Sequence, residues 1–236
     1  MESTRPHYLP IVLLGLAVLV AACGGGPPEE AGRPAEPAAS AVGESAHGAA
    51  TSLRDDFSDP TSGWRRRSAD EQAADYQDGA YVLWVDNDAS SYVGASGWFE
   101  AREFADTRFD VKATRVSGPA GAPVGLSCRQ WSEGERRGLY FADIDGEGEA
   151  RIGFYDEEGQ KILAEVERPG LWGEGENTLR LDCVGPALAF FVNGEKVLTA
   201  EDDRFARGRI GLRAGGTSSG VTRVAFDDAV VSVVGR

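Results

Sequence analysis

The sequence predicts an all-β fold, two antiparallel sheets packed face to face as a jelly-roll sandwich. Three observations carry this expectation. From residue 53 onward apolar residues recur with a period of two in short stretches, with little of the 3.6-residue period of a helix. Gly, Asp and Asn turn signals separate these stretches at regular spacing. About ten or more strands in roughly 180 residues are too many for a small barrel, which favours two stacked sheets.

The elements follow in order. Residues 81–85, Tyr-Val-Leu-Trp-Val, are apolar on both faces and predict a covered central strand. Phe109, Val111 and Ala113 alternate with Asp110, Lys112 and Thr114, which predicts a strand with one face in water. Residues 138–145 and 150–155 flank Asp145-Gly146-Glu147-Gly148, whose Asp-Gly pair signals a tight hairpin turn. Residues 188–192 lead into Asn193-Gly194 and out through residues 196–198, a second hairpin, because Asn-Gly supplies the two positive φ angles of a type I′ turn. Residues 209–213 and 222–234 read as two further strands joined by a flexible stretch over 214–220. In the last strand Val224 and Phe226 lie in one phase and Ala229, Val231 and Val233 in the other, so a β-bulge is predicted at Asp227-Asp228.

Before this domain stand an apolar run over about residues 9–22 and the pattern Val20-Ala21-Ala22-Cys23. The run is shorter than the roughly 20 residues a spanning helix needs and follows Arg5, so it reads as the apolar region of a secretory signal. The small residues before Cys23 resemble a bacterial lipobox. That resemblance implies cleavage over residues 1–22 and lipid attachment at Cys23, which places the protein at the cell membrane or envelope on the extracytoplasmic face. An ordinary signal peptide is the plainer alternative. Residues 23–52, rich in Gly, Pro, Ala and Glu, hold no aromatic residue and read as a disordered tether. All five Trp and all ten Phe fall in residues 53–236, which predicts one domain with a single core.

A net charge of −14 opposes binding to a phosphate backbone, so nucleic acid is excluded as an expected partner. With Cys23 assigned to lipid, Cys128 and Cys183 remain. Each shares a strand face with apolar neighbours (Leu126 for one, Leu179 and Leu181 for the other), and in an oxidising compartment such a pair predicts a disulfide.

Residues 56–60, Asp-Phe-Ser-Asp-Pro, followed by Gly63-Trp64 resemble the opening of a group of bacterial extracytoplasmic domains of unknown function with the concanavalin A-like lectin/glucanase jelly roll. The segments around Cys128 and Cys183, the Phe191-Val192-Asn193-Gly194 hairpin, and the closing residues 208–212 and 224–228 are similar to the same group. The resemblance implies a concanavalin A-like, laminin G-like sandwich over the whole domain. Its motifs are structural, and the superfamily spans sugar-binding modules, adhesion modules and glycoside hydrolases.

The only histidines, His7 and His47, precede the domain, so neither Ser-His-Asp nor Cys-His chemistry nor a His-containing zinc site can be built within it. Glycoside hydrolysis needs only two carboxylates. Asp143-Ile144-Asp145-Gly146-Glu147 approaches the alternating carboxylate motif of jelly-roll glucanases, but places Asp first and a turn glycine inside the strand. A solvated hairpin rim is the expectation here; a loop Ca²⁺ site on Asp143, Asp145 and Glu147 is the competing one. Sugar binding needs an aromatic platform beside polar side chains. Arg129, Trp131 and Tyr140 form the candidate cluster, with Trp98, Trp172 and Trp84 as further aromatics more in keeping with the core. Arg65-Arg66-Arg67 reads as a solvated turn, with contact to an anionic polymer as the alternative. The functional expectation is a non-catalytic, lipid-anchored extracytoplasmic binding module for glycan or an envelope protein, without cofactor unless Ca²⁺. A glycoside hydrolase-like enzyme and a structural envelope module are the alternatives.

Overall fold

The computed structural model describes residues 52–86, 94–217 and 220–235. The predicted signal, Cys23 and the predicted tether up to residue 51 lie outside them. Among the described residues the strands are β1 (Ser52–Asp55), β2 (Arg67–Ala69), β3 (Gln72–Gln77), β4 (Ala80–Val85), β5 (Gly94–Trp98), β6 (Thr107–Ser117) and β7 (Val124–Glu133). They continue as β8 (Arg136–Ile144), β9 (Glu149–Asp156), β10 (Gly159–Glu167), β11 (Glu176–Val184), β12 (Ala187–Val192), β13 (Glu195–Glu201), β14 (Arg209–Gly215) and β15 (Thr222–Val233). A nine-stranded sheet runs β13-β12-β11-β6-β15-β4-β3-β2, with β1 also on β15, and a six-stranded sheet runs β10-β9-β8-β7-β14-β5. The fold is the predicted two-sheet antiparallel jelly-roll sandwich.

The core lies between the sheets because each strand turns its apolar phase inward. Phe109, Val111, Leu179, Leu181, Phe190, Val224 and Phe226 enter from the larger sheet; Val124, Leu126, Tyr140, Ile144, Ile152, Ile210 and Leu212 enter from the smaller. All are fully or almost fully buried, and each large side chain contributes about 1.5–3 kcal/mol by leaving water. An aromatic cluster of Phe57, Trp64, Tyr76 and Tyr81 closes one end, with Trp64 Nε1 donating to Asp55 at 2.9 Å and the Tyr81 hydroxyl to the Arg65 carbonyl at 2.5 Å.

Cys128 on β7 and Cys183 on β11 form a disulfide that ties the two sheets together through the core. Its sequence separation of 55 corresponds to about 4 kcal/mol of unfolded-chain entropy in the loop-closure treatment.

The bulge predicted in the last strand is present. The β15–β6 register shifts between Asp227 and Val230, and Asp228 takes φ +49°. Up to Phe226, β15 pairs with β4; from Ala229 onward it pairs with β1. One extra residue thus serves two partner strands and keeps Val224, Phe226, Ala229 and Val231 all facing the core. Asn193 and Gly194 take φ +50° and +82°, as the type I′ reading requires.

Two boundaries differ from expectation. The turn at Asp145-Gly146 is a four-residue loop, 145–148, with the left-handed residue at Gly148. The Asp145 carboxylate accepts the backbone N–H groups of Glu147, Gly148 and Glu149 at 2.9–3.0 Å, which holds the loop open instead of tight. Ala214 and Gly215, expected in a flexible connection, extend β14 and pair with β5.

Candidate functional site

The six-stranded sheet turns a second face away from the core. In β14 Ile210 and Leu212 point inward, so Arg209, Gly211 and Arg213 point out; in β8 Tyr140, Ala142 and Ile144 point inward, so Leu139, Phe141 and Asp143 point out. Strand register sets these outward residues in rows. Trp98, Gly211, Ser127, Phe141 and Gly153 follow one another across β5, β14, β7, β8 and β9. The middle of the row is small by necessity, since a Cβ at Gly211 would stand 2.6 Å from Ser127 Oγ and 3.3 Å from Gln130 Oε1.

A groove of about 520 Å³ crosses this face, lined by Trp98, Gln130, Trp131, Leu139, Tyr155, Gln160 and five arginines: Arg65, Arg67, Arg137, Arg209 and Arg213. Aromatic rings hold most of the guanidinium groups. Arg65 and Arg209 lie 4.4 and 5.4 Å from the Trp98 ring centroid, Arg137 lies 5.3 Å from that of Tyr155, and Arg213 lies 4.7 Å from that of Phe141. Such stacking fixes the guanidinium plane and leaves its N–H edge as the chemistry on offer.

Among the described residues no carboxylate lines the groove. Arg213 is balanced by buried Asp143, with Nε at 3.2 Å from Oδ1. Arg65 reaches Glu100 only at 3.9 Å, between two half-exposed side chains, a contact worth little. Among the described residues Arg67, Arg137 and Arg209 form no ion pair; Arg137 donates to the Tyr155 hydroxyl at 3.1 Å and Arg209 to Ser132 Oγ at 3.3 Å. The adjoining groove beyond Trp131 is different, because its arginines are neutralised by Arg136–Glu157, Arg204–Asp156 and Arg207–Glu103 pairs.

Seven buried side-chain polar atoms among the described residues lack a hydrogen-bond partner, and four of them gather here: Trp98 Nε1, Ser127 Oγ, Gln130 Oε1 and Arg209 Nε. Buried polar groups are ordinarily paired with protein, water or ligand. These four atoms lie beneath the groove, out of contact with solvent.

The residues singled out in the sequence are dispersed by the fold. Trp131 is half-buried at the ridge between the two grooves, against Phe205 and beneath Arg136. Arg129 and Tyr140 do not join it. Arg129 is 3% exposed and donates to the carbonyls of Ala105 and Phe205 and to Asp106 Oδ1. Tyr140 is fully buried, donating to Asp202 at 2.5 Å and accepting from the Phe205 N–H; burial and the Asp202 hydrogen bond push its phenol well above the usual range. Asp143 lies under Arg213, and Asp145 spends one oxygen on three loop N–H groups. Among the described residues no group of three or more His, Cys, Asp or Glu side chains is placed to hold a metal ion. The arginines of the groove carried a signal in the sequence: Arg209 and Arg213 alternate with Ile210 and Leu212, the wrong chemistry for a core and an unusual density for a plain solvent face.

No family model matches this chain, and no curated protein does. Solved structures match over most of its length. A β-1,3-1,4-glucanase (lichenase) from a mouse hindgut metagenome is 16% identical, with a TM-score of 0.57 over 78% of this chain and 99% of that one. A Bacillus licheniformis β-glucanase is 11% identical, with a TM-score of 0.57 over 80% and 100%. A Bacillus subtilis protein of unknown function with a galectin-like fold is 12% identical, with a TM-score of 0.57 over 76% and 94%. These likenesses show the fold, a concanavalin A-like β-sandwich.

Proposed function

We propose that this protein is a non-catalytic carbohydrate-binding module, held by lipid on Cys23 at the extracytoplasmic face of the cell envelope, with the groove over the six-stranded sheet as its glycan site. The observation that carries the reading is an open groove in which half-buried Trp98, Trp131 and Tyr155 stand beside the polar side chains of Gln130, Ser132 and Gln160. A saccharide presents the ring faces and hydroxyl groups that such a lining meets. The β-glucanase names of two similar structures support a polysaccharide as the class of ligand.

The carboxylates argue for binding without hydrolysis. Retaining and inverting glycosidases both set two carboxyl groups across the scissile bond, about 5–9.5 Å apart. Here no carboxylate among the described residues lines the groove, and Asp143, which meets the groove's Arg213, is 2% exposed and committed to it. The test is a glycan array probed with the full-length protein, with and without Ca²⁺, beside a reducing-sugar assay on the glycans it binds. Selective binding without release of reducing ends is the expected outcome; hydrolysis abolished by Asp143→Asn or Asp145→Asn would establish the enzyme reading instead.

A further inference from the structure

The groove gathers arginines that are largely unneutralised among the described residues of this acidic molecule. The chain carries 38 acidic against 24 basic residues, yet among the described residues five arginines and no carboxylate line this surface. Three of the five, Arg67, Arg137 and Arg209, form no ion pair among the described residues, whereas the arginines of the neighbouring groove are matched to Glu and Asp one by one. A solvated charge face on a protein of net −14 has no reason to exclude the commoner charge.

The aromatic residues point the same way. A neutral pyranose is gripped by stacking its apolar face on a bare ring. Here the Trp98 ring carries Arg65 and Arg209, the Tyr155 ring carries Arg137, and the Trp131 ring carries Arg136. What these stacks present are guanidinium N–H edges, which match carboxylate, sulfate or phosphate oxygens in paired geometry. Arg209 stands among them with its guanidinium held from one side by Ser132 Oγ at 3.3 Å.

We infer that the ligand is an acidic polysaccharide, whose carboxylate or sulfate groups are read by Arg209, Arg137 and Arg67 while Gln130 and Gln160 take its hydroxyl groups. This rests on the glycan reading of the groove. Nucleic acid, the other common polyanion, is opposed by the charge of the rest of the molecule. The repulsion that excludes a long duplex is tolerable for a flexible chain that threads one groove, and it makes binding depend on the arginines and on salt.

The test measures binding of the full-length protein, in detergent, to polygalacturonate, dextran sulfate, neutral dextran, barley β-glucan and polyglutamate. The expected result is binding to polygalacturonate or dextran sulfate, at least about tenfold tighter than to either neutral glucan, weakening steeply between about 0.05 and 0.5 M salt. Which of the two binds separates carboxylate from sulfate recognition. Arg209→Gln and Arg137→Gln should each weaken it about tenfold or more with unchanged thermal unfolding, while Arg66→Gln, outside the groove, should leave it intact. Equal binding to a neutral glucan, unmoved by these variants, overturns the acidic inference and leaves the glycan reading standing. Binding to no glycan, or to polyglutamate as well as to any glycan, overturns both.

Discussion

Arg213 stands on Asp143, its Nε 3.2 Å from a carboxylate oxygen that is almost wholly out of water. The pair sits on the face of the sheet that bears the groove, and Arg213 also covers Phe141, whose ring is fully buried although it points away from the core. One arginine therefore neutralises the carboxylate and covers the ring on the same face. Arg213→Gln removes the partner of a buried charge and is expected to destabilise the fold by about 3 kcal/mol. Chemical denaturation of the variant checks this. Asp143→Asn, which removes the charge along with its need for a partner, should cost less.

The inter-sheet disulfide predicts a second outcome. Cys128→Ala with Cys183→Ala together should lower stability by about 4 kcal/mol, measured as the free energy of unfolding in urea. Reduction of the native protein should shift the transition in the same direction, because it removes the covalent tie between β7 and β11 and the constraint that tie places on the unfolded chain.

Arg129 offers a test of fold against ligand. Its guanidinium binds two carbonyls and Asp106, whose Oδ1 also accepts the Gly185 N–H. Asp106→Ala is expected to cost about 3 kcal/mol or more, because it strands a buried cation. Near-neutral thermal stability combined with lost glycan binding would instead give Arg129 a ligand role.

The pH dependence follows from the carboxylates. A hydrogen bond from Arg66 holds Asp75 below the usual range; burial would raise Asp202, but hydrogen bonds from Arg204 and Tyr140 outweigh it and hold it low as well. A carboxyl depressed by folding adds stability above its unfolded pKa of about 3.9, and that stability is lost as pH falls through the folded value. Asp110, raised by burial, has the opposite sign: what it adds is present below its unfolded pKa and is lost as pH rises through the folded one. Residues 53–236 hold no histidine, so thermal unfolding of the domain should be nearly level from about pH 5.5 to 8 and fall below about pH 4.

Much of the scaffold was legible in the sequence because its signals are local. The inward phases of residues 109–113 and 210–212, the Asn193-Gly194 turn and the phase change at Asp227-Asp228 each depend on neighbours within a few positions. The disulfide was legible for the same reason, from the apolar company each cysteine keeps. The site was not, because it is assembled from β5, β7, β8, β9 and β14 by register. Arg129, Gln130 and Trp131 look like one patch in sequence, but the register of β7 shifts between Cys128 and Trp131 and Arg129 adopts φ +51°. That bulge sends Arg129 inward and leaves Gln130 and Trp131 on the groove. Tyr140 pairs with Cys128 and so shares the core face instead of joining Trp131.

The central claim is that ligand lies in the arginine-lined groove, and hydroxyl-radical footprinting of the full-length protein with and without polygalacturonate tests it most directly. Protection of Trp98, Trp131 and Tyr155, with Trp64 and Trp172 unchanged, is the predicted result. Protection confined to the opposite sheet, or an unchanged pattern at saturating binding, would contradict it.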